Sequence, residues 1–361
     1  MTIPVAFDIG IREFQGNRIF DPDVAGRFPG ASPFVRLHAE AARAGFDLVT
    51  SDVYIEKMQG RRALLLADMH SRVADRLIAS GLVPAASLCM ESPLWAHSFY
   101  HSLGRHSRKY PHVFYFEGMR ERVTSPATTF HVMYFPQSRK ELLGGTTPWR
   151  KREFLSMVAS RKRAFPRRKV RNLSDLRREW ILRQDPWMAS DLYPDRLRAI
   201  VHFAARPGFH LYGYGWRSGP RDEERILADS LDAAYRGETP DKVATLAEYR
   251  FALCFENTRF PGYVTEKIFD SFFAGTIPVY YGAPDISNFV PEDTFVDVSR
   301  FRSYGELEAT LRGYGEDAAG KTLDAIRSFL LSEAFRKFTE DHFARSLVDV
   351  FREVASREGM P

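Results

Sequence analysis

The 361-residue chain has few cysteines, no long apolar run and little net charge, and each shortage excludes a class of protein. Two cysteines cannot build a disulfide framework or a cysteine-based metal cluster. Cys89 and Cys254 both lie in apolar runs, which predicts buried, reduced thiols. No stretch approaches the roughly 18 uncharged apolar residues of a membrane span. The first residues, MTIPVAFD, have no charged segment followed by an apolar core, so no signal peptide is predicted.

The formal net charge is only +5, from 51 Lys plus Arg against 46 Asp plus Glu, and does not require a polyanionic partner. The basic residues are nevertheless concentrated at 150–152 and at 161–171, RKRAFPRRKVR. Such runs suit phosphates, nucleic acid or an anionic membrane surface. The composition, 44% hydrophobic and 27% charged, is that of a soluble globular protein rather than a disordered or fibrous one.

Short apolar runs alternate with helical patterns along the first 90 residues. Helices are predicted at 33–44, with Ser32 as N-cap, and at 71–79. Alternating strands and helices imply a parallel, doubly wound α/β sheet. The predicted strands cover residues 4–9, 46–50, 62–68 and 85–90.

The rhythm restarts after a candidate linker, Gly-Gly-Thr-Thr-Pro at 144–148. The sequence therefore predicts an N-terminal domain at 1–150, a second α/β domain at 151–335 and a helical tail at 336–361, with the first domain as the tail's candidate docking site. Such an architecture places a ligand in the cleft between the domains. The further strands are predicted at 154–159, 209–212, 251–255 and 277–281, and the further helices at 174–183, 240–248, 265–274 and within 322–353.

The stretch 249–282 carries the clearest chemical signal. A buried strand delivers Glu256 and Asn257 to a loop, which returns to a helix whose first turn holds Glu266 and Lys267. Free backbone N–H groups and the positive end of the helix dipole would receive a diphosphate there. We expect Lys267 to add a mobile positive charge, and Glu266 to accept hydrogen bonds from sugar hydroxyls.

Each of these residues also has an ordinary structural interpretation. Asn257 is typical of turns and Glu266 of helix starts, Tyr263 is usually a packing residue, and Lys267 alone is a solvated lysine. Their joint order between two buried strands is the unusual feature.

That order resembles the donor-binding signature of the α-1,3/4-fucosyltransferases, glycosyltransferase family 10. The family pattern runs Phe-x-Leu-x-Phe-Glu-Asn-Ser, a short gap, Tyr-Val-Thr-Glu-Lys, a helix and a Val/Ile-Pro-Val-x-x-Gly strand; here Thr258 replaces the serine. The resemblance is specific over 242–302, weaker over 154–215 and faint before 150. It implies a GT-B fold, two Rossmann-like domains facing a cleft, with GDP-fucose on the second domain and the acceptor on the first.

By the same resemblance, a set of residues falls on the family's donor contacts. The upstream element Val158-Ala-Ser160 is followed by Arg161 where asparagine is usual. Arg171 is the expected diphosphate ligand, and Arg167 and Arg168 are its rivals. The implied donor contacts are Ser160, Arg171, Tyr212, Gly213, Asn257, Tyr263, Glu266 and Lys267.

Glu91, in Cys-Met-Glu-Ser-Pro at a predicted strand end, is by resemblance the catalytic base. Inverting transfer needs one carboxylate to take the proton of the acceptor hydroxyl. The alternative is a turn residue before Ser92-Pro93. His97 and His101 are four apart and could share a helix face, but no third metal ligand is visible, so we interpret them as surface or acceptor-cleft histidines.

The resemblance thus implies an inverting fucosyltransferase in which Arg171 and Lys267 stabilise the GDP leaving group. We expect no obligatory cofactor, a divalent cation being at most stimulatory, because no Asp-x-Asp element follows a predicted strand. The expected partners are a GDP-sugar, a glycan or lipid-linked oligosaccharide acceptor and an anionic membrane, but no nucleic acid. The expected setting is the bacterial cytoplasm, including the periphery of the inner membrane face. The alternatives are another GDP-linked deoxysugar, hexose or heptose as donor, a basic nucleic-acid- or membrane-surface-binding protein without catalysis, and an inactive family member acting as a binding module.

Overall fold

The computed structural model describes residues 2–139, 147–161, 173–216, 231 and 233–360. The chain divides into two compact units, Met1–Ser138 with Arg336–Pro361 and Arg139–Phe335. The sequence placed the first boundary about a dozen residues later, at 150, just after the candidate linker 144–148, of which residues 144–146 lie outside the described part.

Each unit is built on one parallel sheet. The first sheet has the strand order β2-β1-β3-β4-β5-β6 and the second has β11-β10-β9-β7-β8. Every strand pair described is parallel, as the alternation of strands and helices predicted. The strands are β1 (Ile3–Asp8), β2 (Phe46–Thr50), β3 (Leu64–Ala67), β4 (Val83–Leu88), β5 (His112–Tyr115), β6 (Thr129–Val132), β7 (Glu153–Val158), β8 (Phe209–Tyr212), β9 (Tyr249–Phe255), β10 (Ile277–Tyr281) and β11 (Val296–Asp297).

The helices lie between the strands and after the last one. Those of the described residues are α1 (Pro22–Arg27), α2 (Ser32–Arg43), α3 (Ser51–Lys57), α4 (Ala74–Ala79), α5 (His97–His101), α6 (Leu103–Ser107), α7 (Leu173–Gln184), α8 (Tyr193–Ala204), α9 (Lys242–Ala247), α10 (Glu266–Ala274), α11 (Tyr304–Arg312), α12 (Glu316–Leu330), α13 (Glu333–Arg336) and α14 (Glu340–Arg357). None of the described helices is both long and apolar enough to cross a bilayer.

The last helix, α14, belongs to the first unit because it packs on α2. The rings of Phe34 and Phe343 meet edge to face at 5.7 Å, and Arg36 pairs with Asp341 at 2.8 Å. Ser32 is not the N-cap of α2, as the sequence suggested. It is the first helical residue, and Ala31 occupies the cap without a side-chain bond.

The second sheet is buried on both faces around β9 and β10, which positions the loop that follows β9. The helix after that loop, α10, has Thr265 at its N-cap and ends at Gly275, whose φ of 63° is left-handed. Both ends were predicted from the sequence. Cys254 on β9 and Cys89 after β4 are free and buried, as predicted, and burial raises the pKa of each thiol to about 12.

Candidate functional site

The second sheet has a topological switch point between β7 and β9. These strands are neighbours, but the chain leaves β7 toward β8 on one side and leaves β9 toward β10 on the other. Loops that diverge in this way leave a crevice at the carboxyl ends of the strands, where open α/β sheets bind ligands. The loop after β7 begins with Ala159, Ser160 and Arg161, and the loop after β9 runs from Glu256 to Thr265.

A buried ion pair joins the first residue of the loop after β9 to the first turn of α10. Nζ of Lys267 is 2.9 Å from Oε2 of Glu256, and the Glu256 side chain is fully buried. The same carboxylate accepts bonds from the Thr265 amide at 2.9 Å and from the Thr265 hydroxyl at 2.8 Å. That hydroxyl in turn accepts from Lys267 at 2.9 Å. Lys267 is therefore held in place, which corrects the expectation of a mobile charge.

Three charged groups on α9 and α10 surround this pair. Nζ of Lys242 is 2.7 Å from Oδ2 of Asp270, and Nζ of Lys267 is 3.6 Å from Oε1 of Glu266. Burial opposes the charge of Glu266, but Lys267 and Lys242 outweigh burial and lower its pKa to about 2. Burial likewise lowers the pKa of Lys267, yet Glu256 and Glu266 outweigh it and raise that pKa above its ordinary value. Glu266 thus offers an ionised acceptor at the start of a helix.

Lys242 was missed by the sequence reasoning, although a signal was present. A lysine in the first turn of a helix faces the positive end of the helix dipole, an unfavourable position unless a carboxylate is near. That carboxylate is Asp270, which follows Glu266 by one turn of α10.

The side chains of Asn257 and Tyr263, which the sequence analysis assigned to one site, lie in contact in the structure. Nδ2 of Asn257 donates to the Tyr263 hydroxyl at 3.4 Å. The Tyr263 ring is buried and Asn257 is partly exposed. Tyr263 therefore packs in the core and also accepts a hydrogen bond from the Asn257 amide.

The predicted contacts on β7 and β8 lie at adjacent strand ends. Ser160 is exposed after β7, and Tyr212 closes β8 with its hydroxyl 2.9 Å from that of Tyr249. Gly213 has a φ of 129°, and a Cβ there would lie 2.1 Å from the carbonyl oxygen of Ala159. Only glycine lets the two strand ends approach so closely. Arg171, Arg167 and Arg168 lie outside the described residues.

Residues within 172–206, a segment for which no function was predicted, support the loop after β9. The Leu192 amide donates to the Asn257 carbonyl at 3.2 Å, and the Arg259 amide donates to the Ser190 carbonyl at 3.2 Å. Buried Arg196 on α8 donates to the Phe255 carbonyl at 2.9 Å. These bonds fix the backbone that carries Asn257.

In the first unit, Glu91 follows β4 and is partly buried. Its Oε1 accepts from the Ser92 amide at 2.7 Å, and its carbonyl accepts from the Tyr100 hydroxyl at 2.8 Å. His70 follows the neighbouring strand β3, and the charge of Glu91 acts on it: burial lowers the pKa of His70, while Glu91 opposes that shift. Glu91 has the fixed backbone that a catalytic carboxylate needs.

Two further carboxylates lie at the switch point of the first sheet, between β1 and β3, and were not anticipated. Asp8 accepts from the hydroxyls of Ser51 at 2.9 Å and Ser71 at 2.5 Å. Asp68 is buried, and burial raises its pKa to about 7, with the charge of Asp8 adding to the rise against bonds from backbone amides.

The two histidines of α5 differ in exposure, His97 being partly buried and His101 exposed. Within the described part of the chain, no group of three His, Cys, Asp or Glu side chains is arranged to hold a metal ion.

The sequence and the fold each match known proteins. Residues 223–320 match the family model described as glycosyltransferase family 10 (fucosyltransferase) C-term. The alpha-(1,3)-fucosyltransferase FucT of Helicobacter pylori is 48% identical over 61 residues, which cover 17% of this chain and 13% of that protein. Alpha-(1,3)-fucosyltransferase 7 of Homo sapiens is 35% identical over 133 residues, 36% of this chain and 34% of that protein. The chain thus covers about a third or less of these relatives.

The fold resembles solved glycosyltransferases over nearly all of the chain. A crystal structure of alpha1,3-fucosyltransferase aligns with a TM-score of 0.53 at 14% identity, covering 98% of this chain and 90% of that one. Sucrose-phosphate synthase from Thermosynechococcus elongatus aligns with a TM-score of 0.59 at 12% identity, covering 98% and 100%. This likeness confirms the predicted α/β class with two parallel sheets, the GT-B fold. The family match confirms the resemblance over residues 223–320, which are similar to the C-terminal domain of glycosyltransferase family 10.

Proposed function

We propose that this protein is an inverting glycosyltransferase that moves fucose from GDP-fucose to a hydroxyl group of an acceptor glycan, in an α-1,3- or α-1,4-type linkage. The observation that carries the proposal is the Glu256–Lys267 pair at the switch point of the second sheet. It joins the two halves of the family 10 signature into one rigid element at the crevice where this fold binds ligands.

The donor would lie against the loop after β9 and the start of α10. Glu266, ionised and partly exposed, is suited to accept hydrogen bonds from ribose or fucose hydroxyls. Lys267 would face the diphosphate. Because Glu256 already neutralises Lys267, binding a diphosphate needs further positive charge. Arg161 and the arginines within 162–171 are the candidates for that charge.

The reaction is a single displacement at the anomeric carbon of fucose. The acceptor oxygen forms a bond to that carbon as the bond to the β-phosphate oxygen breaks, and the leaving electron pair stays on GDP. The acceptor proton passes to the Glu91 carboxylate. Lys267 and Arg171 stabilise the charge that develops on GDP, so we expect no obligatory metal and at most stimulation by a divalent cation.

The test is transfer to a glycan array from GDP-fucose, followed by mass spectrometry, with Glu91→Gln beside wild type. We expect the wild-type protein to fucosylate at least one acceptor, and we expect Glu91→Gln to lose roughly a hundredfold or more of that activity. Glu121→Gln changes an exposed glutamate of the same unit and serves as the matched control. Equal activity in Glu91→Gln and Glu121→Gln would exclude Glu91 as the base. A larger rise in melting temperature with another GDP-sugar would assign the donor to that sugar.

A further inference from the structure

Helix α7 exposes a row of large apolar side chains. Leu173 is 84% exposed, Leu176 52% and Trp180 53%. At about 100° per residue, positions separated by three and four residues fall within an arc of about 60° on one side of the helix. We name these three residues the α7 face. Three large apolar groups side by side on a surface indicate a partner rather than chance exposure.

The orientation of α7 is set by its other side. Ile181 and Leu182 are buried, and so is Arg178. Rolling the helix to bury the α7 face would expose Ile181 and Leu182 instead. The exposure of Leu173, Leu176 and Trp180 is therefore a property of the packed helix.

Arginines border the α7 face on both edges. Arg177 lies on one edge and is exposed. Arg183 lies on the other edge, where 81% of its side chain is exposed and its guanidinium is 3.8 Å from the carboxylate of Glu179. In the sequence, seven of the eleven residues at 161–171, which precede α7, are Lys or Arg. Tryptophan is enriched at the interface between a membrane and water, and exposed arginines beside an apolar row are attracted to anionic lipid headgroups.

We propose that the α7 face docks on the surface of an anionic lipid bilayer. Leu173, Leu176 and Trp180 enter the boundary between headgroups and acyl chains, and Arg177 and Arg183 contact lipid phosphates. A soluble polyanion would use the arginines but gain nothing from the leucines. A second copy of the chain would bring like charges together. The lipid surface alone uses both features of the helix.

This inference goes beyond the proposed function, and only one consequence of it depends on that function. An enzyme held at the bilayer surface would act on glycans that are linked to lipid. Binding to vesicles itself requires no transferase activity, so the two proposals fail separately.

The experiment is sedimentation of the full chain with phosphatidylcholine vesicles, with and without phosphatidylglycerol, at physiological salt. Wild type should sediment only with the anionic vesicles. Leu176→Glu should bind about tenfold more weakly or worse, because it loses apolar burial and adds a charge that the lipid repels. Leu331→Glu is the matched control, since Leu331 is an 82% exposed leucine outside α7, at the end of α12. Melting temperatures of both variants verify folding.

Two further variants separate the components of the interaction. Arg183→Gln should weaken binding to anionic vesicles severalfold, and Arg183→Lys should restore it. Vesicles should shift the tryptophan emission of wild type to shorter wavelength, and Trp180→Phe should lose most of that shift.

Several results would overturn the proposal. Wild type that stays in the supernatant with anionic vesicles contradicts it, as do equal losses in Leu176→Glu and Leu331→Glu. A loss of turnover on a soluble acceptor in Leu176→Glu would assign the face to the acceptor site. Self-association that Leu176→Glu abolishes would assign it to a second copy of the chain.

Discussion

Lys267 places its ammonium 2.9 Å from a Glu256 carboxylate that is fully buried, so each of these two charges depends on the other. The lysine is at once the residue expected to face the diphosphate and the counter-ion of a buried anion. Replacing it alone therefore alters stability and activity together, and the two effects must be separated by design.

We predict that Lys267→Met lowers the free energy of unfolding by about 3–5 kcal/mol, because it leaves the Glu256 carboxylate buried without a counter-charge. Glu256→Gln/Lys267→Met removes both charges and should recover most of that stability. In both variants transferase activity should remain roughly a hundredfold or more below that of wild type, since neither variant stabilises the leaving group. Urea unfolding and kcat/KM, measured on the same preparations, check both expectations. If the double variant recovered activity along with stability, Lys267 would have a structural role only.

Lys242→Met should raise KM for the GDP-sugar about five- to tenfold with a smaller change in kcat. Without the lysine, Glu266 and Asp270 face each other as like charges one turn apart on α10 and repel. Lys242→Arg keeps the positive charge and should restore most of the affinity. Lys321→Met, at an exposed position of α12, is the control. An unchanged KM in Lys242→Met would remove Lys242 from the site.

Asp68 predicts a specific dependence of stability on pH. Burial raises its folded-state pKa to about 7, above the value of about 4 in an unfolded chain. The folded protein therefore keeps a proton that the unfolded chain releases, and this group's contribution to stability falls as pH rises from about 4 to about 7. Between those pH values the free energy of unfolding of Asp68→Asn should rise, relative to that of wild type, by on the order of 2–4 kcal/mol. Urea unfolding of both proteins across the range checks this, and parallel profiles would contradict it.

Gly213→Ala should destabilise the protein by about 2–4 kcal/mol and weaken donor binding. The added Cβ would meet the Ala159 carbonyl oxygen at 2.1 Å, with φ at 129°. Gly320→Ala, on α12 with open space around it, should instead stabilise by about 0.5–1 kcal/mol. Thermal unfolding of the two variants checks the opposite signs. Equal and small effects would show that the ends of β7 and β8 can separate without loss.

The sequence predicted those parts of the fold whose signals are local. Strands β2, β8 and β10 have the predicted bounds: β8 and β10 each end directly before a glycine, and β2 ends before Ser51. Strands β5 and β6 were missed. Strand β6 is exposed or partly exposed along its length, and β5, which is as long as β8, is followed by Phe116 rather than by a glycine that marks its end.

The same holds for the candidate site: residues close together in the sequence could be assigned to it, but contacts between distant segments could not. Asn257, Tyr263, Glu266 and Lys267 were placed together from the order of one segment. The burial of Glu256 and its ion pair with Lys267 depend on how the loop after β9 folds back toward the strand. No hydrophobic pattern in the sequence predicts that path. The support from Arg196 comes from a separate helix some 60 residues upstream, and only the folded chain brings it to the Phe255 carbonyl.

A competition between two GDP-sugars tests directly whether this protein transfers fucose with Glu91 as the base. Wild type and Glu91→Gln are incubated with an acceptor array and an equimolar mixture of GDP-fucose and GDP-mannose, and the products are identified by mass spectrometry. We expect fucose alone on the wild-type products and almost none with Glu91→Gln. Transfer of mannose, or fucosylation that persists undiminished in the variant, would contradict the account.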